Sequence, residues 1–180
     1  MARGLLGKVL VRTEGGCDTV LRINEVEAYL GIGDPACHTF QGRRTPRTET
    51  MWGEAGMAYV YLVYGVHHCL NVVTVGPGQP EAVLIRGATV MDGHDLVRSR
   101  RAPGVEEGRL TDGPGKLCQA LAVTRDLDGI DLCGPQSDLR ICDDGFRVLD
   151  ERTLQTPRVG VDYAGEAASW PLRYVSDSRV

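Results

Sequence analysis

The chain has 180 residues, 42% hydrophobic and 24% charged, which is the composition of an ordinary globular domain and too short for two sizeable cores. A formal net charge of −4 excludes a uniformly basic coat for nucleic acid, but not a local basic patch, because charge acts through its distribution. The six cysteines form no CxxC pair, Met1 to Lys8 lacks a signal-peptide apolar core, and no run reaches membrane-spanning length. A cytoplasmic protein without disulfides and without a membrane partner is expected.

Val9-Leu10-Val11 reads as a strand, Gly15-Gly16 as a turn, and Thr19 to Leu30 as a second strand rich in β-branched residues. Gly31 to Thr50 has no apolar period and reads as loop, with room for some helix at Pro35 to Thr39. Met57 to Val63 and His68 to Val75 are strand-like runs, with Tyr64-Gly65-Val66-His67 between them at hairpin spacing. Ala82 to Arg86 predicts a buried strand, Asp92 to Arg101 a helix, and Ala102 to Gly108 a charged surface connection. Pro114 to Ala122 predicts a helix, with Leu117, Cys118 and Leu121 at three-to-four spacing. Ser137 to Leu149 reads as a short-strand region and Arg158 to Tyr163 as a further strand. One α+β domain, mostly antiparallel, is the expectation.

Four groups of residues carry candidate chemistry. In Asn24 to Tyr29, strand alternation puts Leu21, Ile23, Glu25, Glu27 and Tyr29 on one face, and Val20, Val26, Ala28 and Leu30 on the other. A carboxylate in an apolar row suits a general base or acid if burial raises its pKa. A solvated or Arg-paired Glu is the plainer alternative. Cys37-His38 and His67-His68-Cys69 invite zinc, but their spacing matches no common zinc module, so no metal and no cofactor are expected; a neutral, hydrogen-bonded His38 fits better.

The third group is the run Tyr59, Tyr61 and Tyr64. Tyr59 and Tyr61 share a face as half-buried sheet residues, whereas Tyr64 at the turn has the form of a wedge that enters a groove. The fourth is Arg43-Arg44-Thr45-Pro46-Arg47, a phosphate-contact loop or a solvated charge run. Arg98, Arg100 and Arg101, close to Glu106 and Glu107, read as surface.

Taken in order, ARGLLG at 2–7, EVEAYLG at 25–31, the His38 loop with RRTPR and AYVYLVYGVHHCLN at 58–71 resemble the 3-methyladenine (alkyladenine, methylpurine) DNA glycosylases. VLIRG at 83–87, GPGKLCQAL at 113–121 and RVGVDYAGEAASWPLRY at 158–174 extend the resemblance along nearly the whole chain. Family members carry residues before the segment that opens here at Met1, so a shortened start is expected. The resemblance implies a single domain around a curved antiparallel sheet, similar to the domain appended to methionyl-tRNA formyltransferases, with a protruding hairpin that inserts into the DNA minor groove.

By the same resemblance, Glu27 matches the general base that activates a water, and Arg86 the arginine that helps hold it, with the Val159 carbonyl as a further partner. Tyr29, His38 and Tyr61 match the aromatic walls around a flipped base, and Asn71 the side chain that excludes purines with a 2-amino group. Tyr64 matches the residue that fills the vacated gap in the duplex. Arg43, Thr45, Arg47 and Lys116 lie in segments that contact DNA backbone. Val66 and His67 depart from the larger apolar residues common at the family's hairpin tip.

The implied reaction is monofunctional hydrolysis of an N-glycosidic bond to an alkylated or deaminated purine in double-stranded DNA, by a monomer, leaving an abasic site. A non-catalytic nucleic-acid-binding module of similar fold is one competing reading; the set Glu27, Tyr29, His38 and Asn71, which such a module does not need, argues against it. A sugar hydrolase using Glu25 and Glu27 is another, although both carboxylates would then project from one wall about 7 Å apart at Cα. If Tyr61 and Asn71 line one pocket, a two-residue loop at Gly65-Val66 would turn Asn71 to the wrong face. An odd-length loop, or a bulge near His67 to Cys69, is therefore expected, with Tyr64 tilted outward.

Overall fold

The strand-rich runs join into one eight-stranded sheet in the computed structural model, which describes residues 1–176. Its strands are β1 (Val9–Glu14), β2 (Cys17–Tyr29), β3 (Ala58–Val63), β4 (His67–Val73), β5 (Ala82–Asp92), β6 (Leu139–Cys142), β7 (Thr153–Thr156) and β8 (Arg173–Ser176). The order is β3-β4-β5-β2-β1-β6, and β8 pairs with both β2 and β7. Every strand pair among the described residues is antiparallel. The long β2 gives its first half to β1 and residues Glu25 to Glu27 to β8, so one strand spans two neighbours on the same side.

Among the described residues three short α-helices accompany the sheet: α1 (Ala2–Leu5), α2 (His94–Ser99) and α3 (Pro114–Ala120). Pro114 opens α3 where a missing N–H costs nothing, and its apolar stripe, Leu117 and Cys118 with Leu121 just beyond, packs into the main core. That core also takes Leu10, Leu21, Ile23, Val26, Leu70 and Ile85, all almost fully buried. A second apolar cluster, Cys37, Met51, Tyr59, Val73 and Ala82, lies under the loop between β2 and β3.

Several local expectations change. Pro35 to Thr39 forms turns rather than helix, and the loop around it holds only single 3-10 turns. Arg158 to Tyr163 is not a strand: Gly160 sits at φ +73°, which breaks an extended run, and a kinked 3-10 segment follows over Asp162–Ser169. The strands of this region are instead β7 and β8. The helix expected from Asp92 starts at His94, because β5 runs on to Asp92 and Gly93 turns the chain at φ +80°.

The alternation expected along β2 also fails. Leu21 and Ile23 share the main core with Val26 and Ala28, not a face with Glu27 and Tyr29. The pairing with β5 is irregular on both sides of Glu25–Gly87, leaving Asn24 on β2 and Arg86 on β5 without partners, so two residues separate the core positions Ile23 and Val26. The β3–β4 connection has the odd length that a shared face requires. Val63 pairs with His67 across a loop of Tyr64, Gly65 and Val66, so Tyr61 faces Cys69 and Tyr59 faces Asn71.

Candidate active site

Register builds the site. Tyr59 pairs with Asn71, Asn71 with Leu84, and Leu84 with Glu27, so these four residues form a row across β3, β4, β5 and β2. Side chains directly opposite in a sheet share a face, and residues two positions away share it too. Tyr61 and Cys69 pair on one side of this row, and Val73, Ala82 and Tyr29 line up on the other. Above this face lies a cavity of about 420 Å³, and Tyr29, His38, Tyr61, Asn71, Arg86 and Val159 all line it.

Glu27 lies beneath the wall of this cavity, with no solvent-accessible surface. Its Oε2 accepts a hydrogen bond from the Tyr29 hydroxyl at 2.9 Å, and its Oε1 accepts one from the Val159 N–H at 2.7 Å. Arg86 Nε stands 3.4 Å from Oε1. Burial pushes the Glu27 carboxyl above the usual range; Arg86, the Val159 amide and the Tyr29 hydroxyl oppose that shift without cancelling it. Val159 thus meets Glu27 through its N–H, a group separate from the carbonyl that the resemblance assigns to the water.

The aromatic walls have different supports. His38 Nδ1 lies 2.9 Å from the Tyr59 hydroxyl, and its ring meets Tyr61 edge-on at 4.6 Å between centroids. Tyr59 tilts against Tyr61 at 5.2 Å. Burial, then the cations of Arg47 and Arg43, lower the His38 pKa to about 4, so the ring is neutral at pH 7. Tyr29 is backed by the Arg158 guanidinium, 4.8 Å from its ring centre. Asn71, 3% exposed, donates through Nδ2 to the Tyr59 carbonyl at 3.0 Å.

Tyr64 stands at the cavity mouth, 92% exposed, at φ +52°, and is followed by Gly65 at φ +72°. The Val66 N–H donates to the Val63 carbonyl at 3.2 Å, closing the turn. Of the loop residues, Arg43 and Arg47 are exposed and Thr45 is half-buried; all three line a second cavity of about 470 Å³ that shares His38 with the first. The Arg47 guanidinium lies 4.9 Å from the centre of the Tyr61 ring. Lys116 is held away from these, in α3, by an ion pair with Asp112 at 2.6 Å.

Cys37 Sγ contacts Thr39 Oγ1 at 3.2 Å, and among the described residues no three of His, Cys, Asp and Glu gather as metal ligands would. No helix among those residues is long and apolar enough to cross a membrane.

Sequence reasoning missed three supports. Asp34 and Arg158 form an ion pair with both side chains fully buried, and Arg158 also donates to the Ala28 carbonyl at 3.0 Å. That pair anchors the segment carrying the Val159 amide. Glu25 accepts from both Arg86 and Arg173. Tyr59, read as a plain sheet residue, is the hydrogen-bond partner of His38. Such partners lie far apart in the chain, as do Asp34 and Arg158, and neither residue has a local pattern that marks it.

Residues 1–179 match the family described as Methylpurine-DNA glycosylase (MPG). Relatives carrying the name "Putative 3-methyladenine DNA glycosylase" align along almost the whole chain. One from Bdellovibrio bacteriovorus is 49% identical over 175 residues, 97% of this chain and 87% of its own length. One from Desulfitobacterium hafniense is 46% identical over 187 residues, 99% and 90% of the two chains. One from Myxococcus xanthus is 47% identical over 180 residues, 99% and 85%.

Proposed function

The chain belongs to the methylpurine-DNA glycosylase family, and from that premise we propose that it is a monofunctional DNA glycosylase that flips damaged purines out of duplex DNA and hydrolyses their N-glycosidic bond. The observation that carries this reading is the row that sets Glu27 beneath an aromatic-lined cavity roomy enough for a purine, held by Tyr29, Arg86 and Val159.

Extruding a nucleotide costs about a few kcal/mol of stacking and pairing. Tyr64, standing free at the cavity mouth, enters the minor groove and offsets part of that cost by filling the gap. The flipped base lies between Tyr29 and the His38–Tyr61 wall, and a neutral His38 does not repel a base made cationic by N3 or N7 alkylation. Asn71 meets the purine edge and rejects a 2-amino group. Bond cleavage passes through an oxocarbenium-like state, whose charge an ionised Glu27 stabilises while it accepts the proton of the attacking water. Water reaches Glu27 between Arg86 and Val159, and Arg86 helps hold it there. An alkylated purine leaves without protonation; a neutral one such as hypoxanthine needs a proton on the leaving base.

Arg43, Thr45 and Arg47 hold backbone phosphates beside the second cavity, and Lys116 does so at the price of its Asp112 contact. A lysine nucleophile has no support here: the chain has only Lys8 and Lys116, each ion-paired and neither on the cavity wall. Incubation with methylated and hypoxanthine-containing duplexes tests the proposal. Free bases in the chromatogram, with abasic strands left uncut until alkali is added, are the expected products. Intact bases in both duplexes, despite DNA binding, would favour a binding module instead.

A further inference from the structure

The carboxylate two residues before Glu27 has no part in the reaction just described. Glu25 Oε1 accepts hydrogen bonds from Arg86 Nε and from Arg173 Nε, each at 2.7 Å. The same Arg86 Nε is 3.4 Å from Glu27 Oε1. Arg86 is therefore shared unequally between two carboxylates, and its hydrogen bond goes to Glu25. The backbone builds this arrangement. Irregular pairing around Glu25–Gly87 interrupts the alternation of β2, and Gly87 lets Glu25 lie close against β5. A Cβ at position 87 would stand 2.9 Å from Asn24 Oδ1 and 3.4 Å from Glu25 Oε2. Arg173 enters from β8, opposite Glu27 in register, and is fixed by a hydrogen bond to Thr156 Oγ1 at 3.1 Å.

We propose that Glu25, braced by Arg173, is a positioning residue that holds the Arg86 guanidinium off Glu27 and so keeps Glu27 a usable proton acceptor. The inference rests on the reading of Glu27 as the base. A carboxylate in a tight ion pair gives up its proton more readily and takes one up less readily, which is the wrong direction for a base. Glu27 already accepts from Tyr29 and Val159, so a full bond from Arg86 would leave fewer lone pairs for a water. The groups that face it are Glu25 and Tyr29 from β2, Arg86 from β5, Cys69 from β4, Arg173 from β8, and Arg158 beside the Val159 amide. Asp34 engages Arg158 and Glu25 engages Arg173, so among the described residues Arg86 is the cation within 4 Å of Glu27. Without Glu25, two arginines would face a single carboxylate.

Two readouts test this: the acid limb of single-turnover base release, and direct titration of the Glu27 carboxyl by carbon-13 NMR in the DNA-free protein. In Glu25→Gln, Arg86 turns to Glu27, and both apparent pKa values fall by about one unit. In Arg173→Gln, Glu25 draws on Arg86 alone and both values rise; Arg173→Lys, which keeps the charge, brings them back. A merely structural role would lower rate or stability without moving the limb in opposite directions. Values that stay put in both variants, or move the same way in both, overturn the proposal. Should Glu25→Gln not fold, the contrast between Arg173→Gln and Arg173→Lys decides alone, with a rise that the lysine reverses as support and no rise as refutation. Glu27→Gln separates the two layers. If it loses activity while the other variants leave the titration unmoved, only the role of Glu25 falls. If it keeps activity, the base assignment falls, and the NMR titration still reports whether Arg86 is shared as described.

Discussion

Glu27 and His38 are tuned in opposite senses by the same burial. For Glu27, burial favours the neutral acid, so this carboxyl becomes ionised only above the usual carboxylate range. Base release should therefore fall as pH drops through a pKa above 4.5, the ordinary value for Glu. His38, neutral down to about 4, adds no limb near 6.5, so the acid limb should persist in His38→Gln at a lower plateau. A limb that vanishes with that substitution would reassign it to the histidine. His38 also carries a stability term: between about 4 and 6.5 the unfolded chain binds the proton and the folded one does not, so its contribution is full above 6.5 and is lost as pH falls toward 4. At this scale the sequence was legible where chemistry is local. Two carboxylates among apolar residues marked β2, and the tyrosine run marked the hairpin. The buried Asp34–Arg158 pair was not legible, because its halves stand alone and 124 residues apart.

The elements that position these residues are a bent strand, a hairpin and an anchored segment. Arg158 and the amides of Leu30 and Ala36 hold Asp34 below its usual range, against the opposing pull of burial. Asp34→Asn strands a buried guanidinium, so it should cost about 3–5 kcal/mol of stability in a urea titration. It should also slow base release, because the Val159 amide loses its anchor; an unchanged urea midpoint would contradict the anchoring role. The hairpin predicts the converse separation. Tyr64 is exposed and at positive φ, where a non-glycine residue costs roughly 1–2 kcal/mol. Tyr64→Gly should leave the thermal midpoint equal or higher while lowering base release from duplex more than from single strands. Equal losses on both substrates would remove the wedge. The long strands and α3 were readable from β-branched content and apolar spacing. β7 and β8 were not, being four residues each, and the valines around Gly160 mimicked a strand that a left-handed glycine forbids. The change of face at Asn24 and Glu25 comes from pairing with β5, which no local pattern in β2 encodes.

For the whole molecule, the proposed function asks an acidic chain to bind a polyanion, and exposed arginines are the groups suited to it. Arg43 and Arg47 are free of ion pairs among the described residues, whereas Arg44 is paired with Glu49 and Lys116 with Asp112. DNA affinity should thus depend on few phosphate contacts, with Arg43→Ala lowering the slope of log K against log salt by about 0.9. An unchanged slope would take Arg43 off the interface. Family membership supports a DNA glycosylase role, and the antiparallel sheet supplies the row from Tyr59 to Glu27 on which the proposed chemistry depends. The most direct measurement of that account is single-turnover base release by Glu27→Gln on a methylated duplex, alongside its DNA affinity. The amide keeps the shape and loses the basicity, so the rate should fall by roughly 100-fold or more with binding retained. Release at near the unsubstituted rate would contradict the assignment of Glu27 as the base.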